Sequence, residues 1–228
     1  MKSLIMRKRP YYLTIAATVL CLSGPVSTMA ASVIGGDLVP GGIGYQWTIS
    51  MNGNDTTAGS TPAYTGSVGS LSWNDPINAG DPIGTGWTHT SNWTALTLTE
   101  TANLSVTLAA TTVGALVPAF SLYSGHQQTG SDWHVYHNAG NFDWAPALNY
   151  IGNEANLGGL SSITRVFSLG AGDYTLVFGG NPPPGTPGAQ VGYHATLTTS
   201  PVPVPAAVYL FGSGLIGLAG LARRRMKA

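Results

Sequence analysis

Cysteine is nearly absent from this sequence: Cys21 is the only one. It lies in an apolar N-terminal run, and Leu20 precedes it where a lipidated cysteine would follow a small residue. It is therefore expected to leave with that segment. A body without cysteine has no disulfides and no thiol chemistry. Its stability must come from a core, which about 170 residues suffice to bury. Cations are equally scarce in the middle. Of nine Lys and Arg, four (Lys2, Arg7, Lys8, Arg9) stand at the front and four (Arg223, Arg224, Arg225, Lys227) at the back, leaving Arg165 alone between them. All nine acidic residues fall in that middle, so the body carries one positive charge against nine negative, a net of −8. Phosphate binding needs clustered Lys and Arg, so nucleic acid is excluded as a partner. No G-x-S-x-G elbow occurs, and the scattered acids form no recognisable hydrolytic pair. The body is thus expected not to be an enzyme.

The two ends read as targeting segments. Arg7, Lys8 and Arg9 precede an apolar run from Tyr11 to Leu22, followed by Gly24, Pro25 and small residues. Thr28-Met29-Ala30 fits the small-x-small cleavage pattern, placing a signal peptide at 1–30 and the mature start near Ala31. A run of about 12 residues is shorter than the roughly 20 that span a bilayer, which disfavours an uncleaved anchor. At the other end, Pro201-Val202-Pro203-Val204-Pro205 cannot be helical. Ala206 to Ala222 is 17 residues without a charge. At about 1.5 Å per residue it reaches about 25 Å, long enough for a transmembrane helix. Arg223, Arg224 and Arg225 hold its end in the cytoplasm, placing the body beyond the inner membrane. Gly212-Ser213-Gly214-Leu215-Ile216-Gly217 matches a dinucleotide fingerprint but lacks the strand–turn–helix context. Small residues in a membrane helix explain it better.

Val202, Pro203, Pro205 and Ala206, then the apolar stretch with Phe211-Gly212-Ser213-Gly214, then the triple arginine, resemble the PEP-CTERM sorting signal, and more closely its Val-Pro-Leu-Pro-Ala variant. Val204 departs from both, standing where the main family has Glu and the variant Leu. The resemblance implies Sec-type export in a Gram-negative bacterium and recognition by an exosortase. It further implies a transient stay in the inner membrane, then release or anchoring in the outer envelope or extracellular matrix, often beside exopolysaccharide and biofilm.

The body, 31–200, alternates apolar and polar residues at period two in several stretches. Ile43, Tyr45, Trp47, Ile49 and Met51 form one; Leu96 and Leu98 a second. Leu104, Val106 and Leu108 share a face, as do Phe120 and Leu122; Tyr174, Leu176 and Phe178; and Tyr193, Ala195 and Leu197. Gly- and Asn-rich punctuation separates them, and no long 3.6-residue period occurs. The pattern predicts an all-β, antiparallel β-sandwich of jelly-roll or Ig-like type, with an irregular N-terminal third up to about Pro82. Thr94–Leu98, Asn103–Leu108, Ala119–Tyr123 and Phe167–Val177 resemble strands of bacterial pre-peptidase C-terminal domains. That resemblance implies a small secreted sandwich with a binding or solubilising role, here carrying an insertion at about 125–161.

The insertion gathers the densest polar and aromatic cluster, and loops of this length are often functional. Trp133, Tyr136, Trp144 and Tyr150 offer flat apolar faces beside Asn and Asp, suited to a sugar. They equally suit packing of the loop onto the sandwich, which is the favoured expectation. Asp132, Asn141 and Asp143, with Asn138 and Glu154, could supply oxygens to calcium, although no EF-hand spacing is present. His134-x-x-His137 has no third ligand at zinc spacing. Trp47, Trp73, Trp87 and Trp93 are expected in the core or at sheet edges. The leading expectation is a non-enzymatic envelope or matrix protein without an obligatory cofactor. The alternatives are a carbohydrate-binding module, with or without the help of calcium, acting through the insertion, and a secreted hydrolase.

Overall fold

The computed structural model describes residues 29–36, 43–60, 62–69, 71–73, 85–127, 135–181, 190–203, 210–215 and 218. The signal segment through Thr28, the candidates Asp132, Trp133 and His134, and the tail residues Pro205, Ala206, Arg223, Arg224 and Arg225 lie outside the described residues.

Two six-stranded sheets form a β-sandwich. In the first sheet, β1 (Met29–Ala30), β4 (Asp55–Thr56), β14 (Val191–Pro201), β8 (Ala102–Ala110) and β12 (Ser162–Leu169) lie in that order, and β5 (Thr65–Val68) also pairs with β14. The second runs β11 (Asn149–Glu154), β9 (Val117–Ser124), β13 (Gly172–Asn181), β7 (Asn92–Leu98), β3 (Trp47–Met51) and β2 (Ser32–Gly35). Alternation decides which side chains meet between them. Leu104, Val106 and Leu108 of β8 with Ala195 and Leu197 of β14 face Ile49, Leu96, Leu98, Phe120, Leu122, Leu176 and Phe178 of the second sheet. Their polar neighbours turn outward, where Thr107 meets Thr164 (2.8 Å) and Thr56 meets Thr198 (3.2 Å). Hydroxyls, not charges, cover that face.

Three expectations change. The pairing is not wholly antiparallel, because β3 runs parallel to β7 and β1 parallel to β4. The N-terminal third is not irregular: β2 to β5 supply strands to both sheets. The stretch read from Ile43 to Met51 divides, since β3 begins only at Trp47 and Tyr45 turns into a different core. The expected cleavage after Ala30 would remove a strand of the first sheet. Met29 and Ala30 form β1, and the next amide, Ala31 N, donates to Thr56 O at 2.8 Å. Of the tail, residues 210–215 are helical, and among the described residues no helix is long and apolar enough to cross a membrane.

Arg165 sits on β12 at the edge of the first sheet. Its guanidinium donates to Asn153 O on β11 of the second sheet and lies 5.0 Å from the centre of the Phe167 ring. The body's sole Lys or Arg thus joins the two sheet edges.

Candidate functional site

The described part of the insertion packs over the outer face of the second sheet. Gly125 begins it, with φ of 91°, a left-handed conformation that favours glycine. A Cβ there would also stand 2.2 Å from Ala147 O. The chain then pairs β10 (Val135–His137) with β6 (Thr85–Trp87) as a two-stranded ribbon and later returns to the sheet as β11. Beneath the ribbon lies a second core of Tyr45, Trp93, Ala95, Tyr123, Tyr136, Ala145, Leu148 and Val177. Strands β7, β9 and β13 are therefore covered on both faces.

Of the three described aromatics singled out in the insertion, Tyr136 and Tyr150 serve this packing. Tyr136 is 1% exposed; its hydroxyl donates to Ser72 O at 2.9 Å and its ring meets Trp93 edge-on at 5.2 Å. It lies in the wall of the cleft beside Phe142 and His137, but at that exposure it offers almost no surface to a ligand. Burial pushes its hydroxyl, like those of Tyr64 and Tyr123, well above the ordinary tyrosine pKa. Tyr123 OH donates to His137 O, fastening the ribbon to the sheet. Tyr150 is half-buried, 5.9 Å edge-on from Tyr123. Its own amide donates to Asn141 Oδ1 at 2.6 Å, so Asn141 organises the loop. Asp143 is exposed on the rim. Among the described residues no three of His, Cys, Asp and Glu converge as metal ligands.

Trp144 is different. Its indole N–H donates to Val135 O at 2.7 Å, which fixes the ring. The Phe142 ring lies 4.6 Å away and the Trp93 ring 6.2 Å away, both tilted. Both Phe142 and Trp144 stay half-exposed. The resulting ridge separates two clefts. One, of about 290 Å³, is bounded by Trp144, Trp93, Ile43, Gln46, Thr88 and His89. The other, of about 300 Å³, is bounded by Trp144, Phe142, Val135, His137, Asn141, Asp143 and Thr85. Thr85 is 3% exposed, and among the described residues its hydroxyl has no hydrogen-bond partner. Rigid aromatic surface beside a few polar groups, at about 300 Å³, stands at the lower limit of small-ligand sites. Sequence reasoning singled out Trp144 but missed Phe142, Thr85 and His89. The pairing of β6 with β10 brings Thr85 here, and no local pattern signals it.

No family model and no curated protein matches this chain. Among solved structures it is similar to CorA, a surface-associated copper-binding protein important in copper acquisition by Methylomicrobium album BG8. The two are 16% identical with a TM-score of 0.48, covering 67% of this chain and 99% of that one. It is also similar to the secreted protein MopE of Methylococcus capsulatus in a mercury-soaked structure, where an oxidized tryptophan facilitates copper binding. Here the identity is 14% and the TM-score 0.41, covering 78% of this chain and 97% of that one. At such values neither likeness bears on the chemistry of this chain.

Proposed function

We propose that this chain is an exported, non-enzymatic protein of the outer envelope or extracellular matrix of a Gram-negative bacterium. In this reading it crosses by Sec-type machinery, pauses in the inner membrane, is processed by an exosortase and associates with exopolysaccharide. The place where β14 stops supports the reading. That strand is central in the first sheet, and its last pair is Pro201 with Ala102. Val202 and Pro203 follow at once, both exposed. The motif that resembles a sorting signal therefore begins where the sheet ends, and cutting there removes no strand. Fractionation of cells with and without the sorting enzyme tests it. The protein should leave the inner membrane only when the enzyme is present; the same distribution in both strains overturns the reading.

The Trp144 ridge favours a second reading, in which the body binds a polysaccharide. Phe142 and Trp144 present apolar faces to sugar rings, while Asp143, His137 and the unpartnered Thr85 hydroxyl offer partners to sugar hydroxyls. A glycan array, read with and without a chelator, tests it. Trp144→Ala and Phe142→Ala should each abolish a signal that the unaltered protein gives; unchanged binding by both variants removes the idea.

A further inference from the structure

A second constellation lies away from the ridge, where the chain crosses from the second sheet to the first. Because β3 and β7 are parallel neighbours, with Met51 beside Leu98, the residues following them leave the sheet side by side. Thr99 N and Thr99 Oγ1 both donate to Met51 O, at 2.9 and 3.3 Å. One crossing is Asn52-Gly53-Asn54-Asp55; the other is Thr99-Glu100-Thr101. Both end in strands of the first sheet, β4 and β8.

Each crossing carries a carboxylate, and Gly53 lies against both crossings. Asp55 Oδ2 accepts from Asn52 N at 2.7 Å, which holds that carboxylate over the turn containing Gly53. On the other side, a Cβ on Gly53 would stand 2.8 Å from Glu100 Oε2 and 3.8 Å from Thr101 O. Asp55 is 5% exposed, and among the described residues its Oδ1 has no hydrogen-bond partner. Its backbone is clamped by the buried Thr199, whose hydroxyl accepts from Asp55 N at 2.7 Å, so the side chain cannot readily swing out. A buried, unpartnered carboxylate oxygen is costly, and an ion is one recognised way of satisfying it. Arg165, the one Lys or Arg of the body, is engaged at Asn153 and Phe167.

We propose that these two crossings bind a hard divalent cation of the calcium type. Asp55 Oδ1 and the Glu100 carboxylate are its anionic ligands, with neighbouring carbonyl oxygen and water completing the shell. Calcium takes six to eight oxygens in flexible geometry, and a site with only two carboxylates suits the weak range, about 10⁻⁴ to 10⁻³ M, of extracellular modules. Bound there, the ion ties the β3–β4 connection to the β7–β8 connection and so pins one end of the sandwich. This site is separate from the oxygens of the insertion.

Thermal melting of the full chain in mild detergent, in EDTA and across a calcium chloride series, tests the proposal. Calcium should raise the midpoint and saturate in that range, with little effect from equal magnesium. Glu100→Gln, an exposed position that leaves the core intact, should weaken the response at least about tenfold, because affinity follows ligand charge. Asp55→Asn should do the same if it folds, while Asp143→Asn should leave the response whole. A midpoint identical in EDTA and calcium overturns the proposal. So does a response that survives Glu100→Gln but disappears in Asp143→Asn. Neither result bears on export or on the Trp144 ridge.

Discussion

Removing Tyr136 should damage the fold, because this residue fills the layer between the ribbon and the second sheet. The side chain is 1% exposed and packs against Trp93 and, at 6.4 Å, Phe142. Truncation to alanine removes a large aromatic from a packed layer, a change costing about 3 to 5 kcal/mol. Tyr136→Phe keeps the ring and removes one hydrogen bond. Ser72 O would then depend on Ser91 Oγ at 3.1 Å, whose single proton also reaches Trp87 O at 2.7 Å, so the cost should be about 1 to 3 kcal/mol. Equilibrium unfolding in urea separates the two, with an unchanged slope licensing the comparison. A cost below about 1 kcal/mol for Tyr136→Ala would refute the second core. The packing assignment of Tyr136 would also fall if Tyr136→Phe lost glycan binding at full stability.

Other outcomes follow from the same packing. Leu197→Ala, on a central strand and fully buried, should cost about 2 to 5 kcal/mol in the same assay. Gly125→Ala meets both the left-handed backbone and the Ala147 carbonyl. It should destabilise by more than about 1 kcal/mol, measured as a lowered thermal midpoint. Stability should also fall with alkali. Burial raises the folded-state pKa of Tyr193 to about 12, above its ordinary value of 10.0, so the native state holds this proton more tightly than the unfolded chain. The contribution is whole below pH 10 and is lost as pH rises through about 12. Absorbance titration of tyrosinate alongside unfolding checks this; a Tyr193 that ionises near its ordinary value contradicts it.

Much of the sandwich was legible where one face is buried and the other wet. On β8 and β14, Leu104, Val106, Leu108, Ala195 and Leu197 alternate with hydroxyl residues, and each lies in the core as its period requires. On β13, Leu176 and Phe178 enter one core and Val177 the other. Strand β9 was legible only in part. Its residues from Pro118 to Tyr123 are buried on both sides, which erases alternation. The parallel neighbourhood of β3 and β7 left no local trace, because a long excursion through β4, β5 and β6 separates them. The crossings that carry Asp55 and Glu100 are neighbours only through that pairing, so neither residue stood out in the sequence. In the insertion, composition revealed a cluster of aromatics but not their orientation. Tyr136 and Trp144 look alike as residue types, but the ribbon turns Tyr136 inward, while Trp144, in the loop that follows, is held on the ridge by its bond to Val135 O.

Mass spectrometry of both termini of the protein recovered from outside the inner membrane tests export and sorting most directly. It should find a chain beginning at Ala31 and lacking Arg223, Arg224 and Arg225, with its C-terminus near Pro203 to Ala206. Recovery from the cytosol of a polypeptide that still carries both Met1 and Ala228 would contradict the proposed export and sorting.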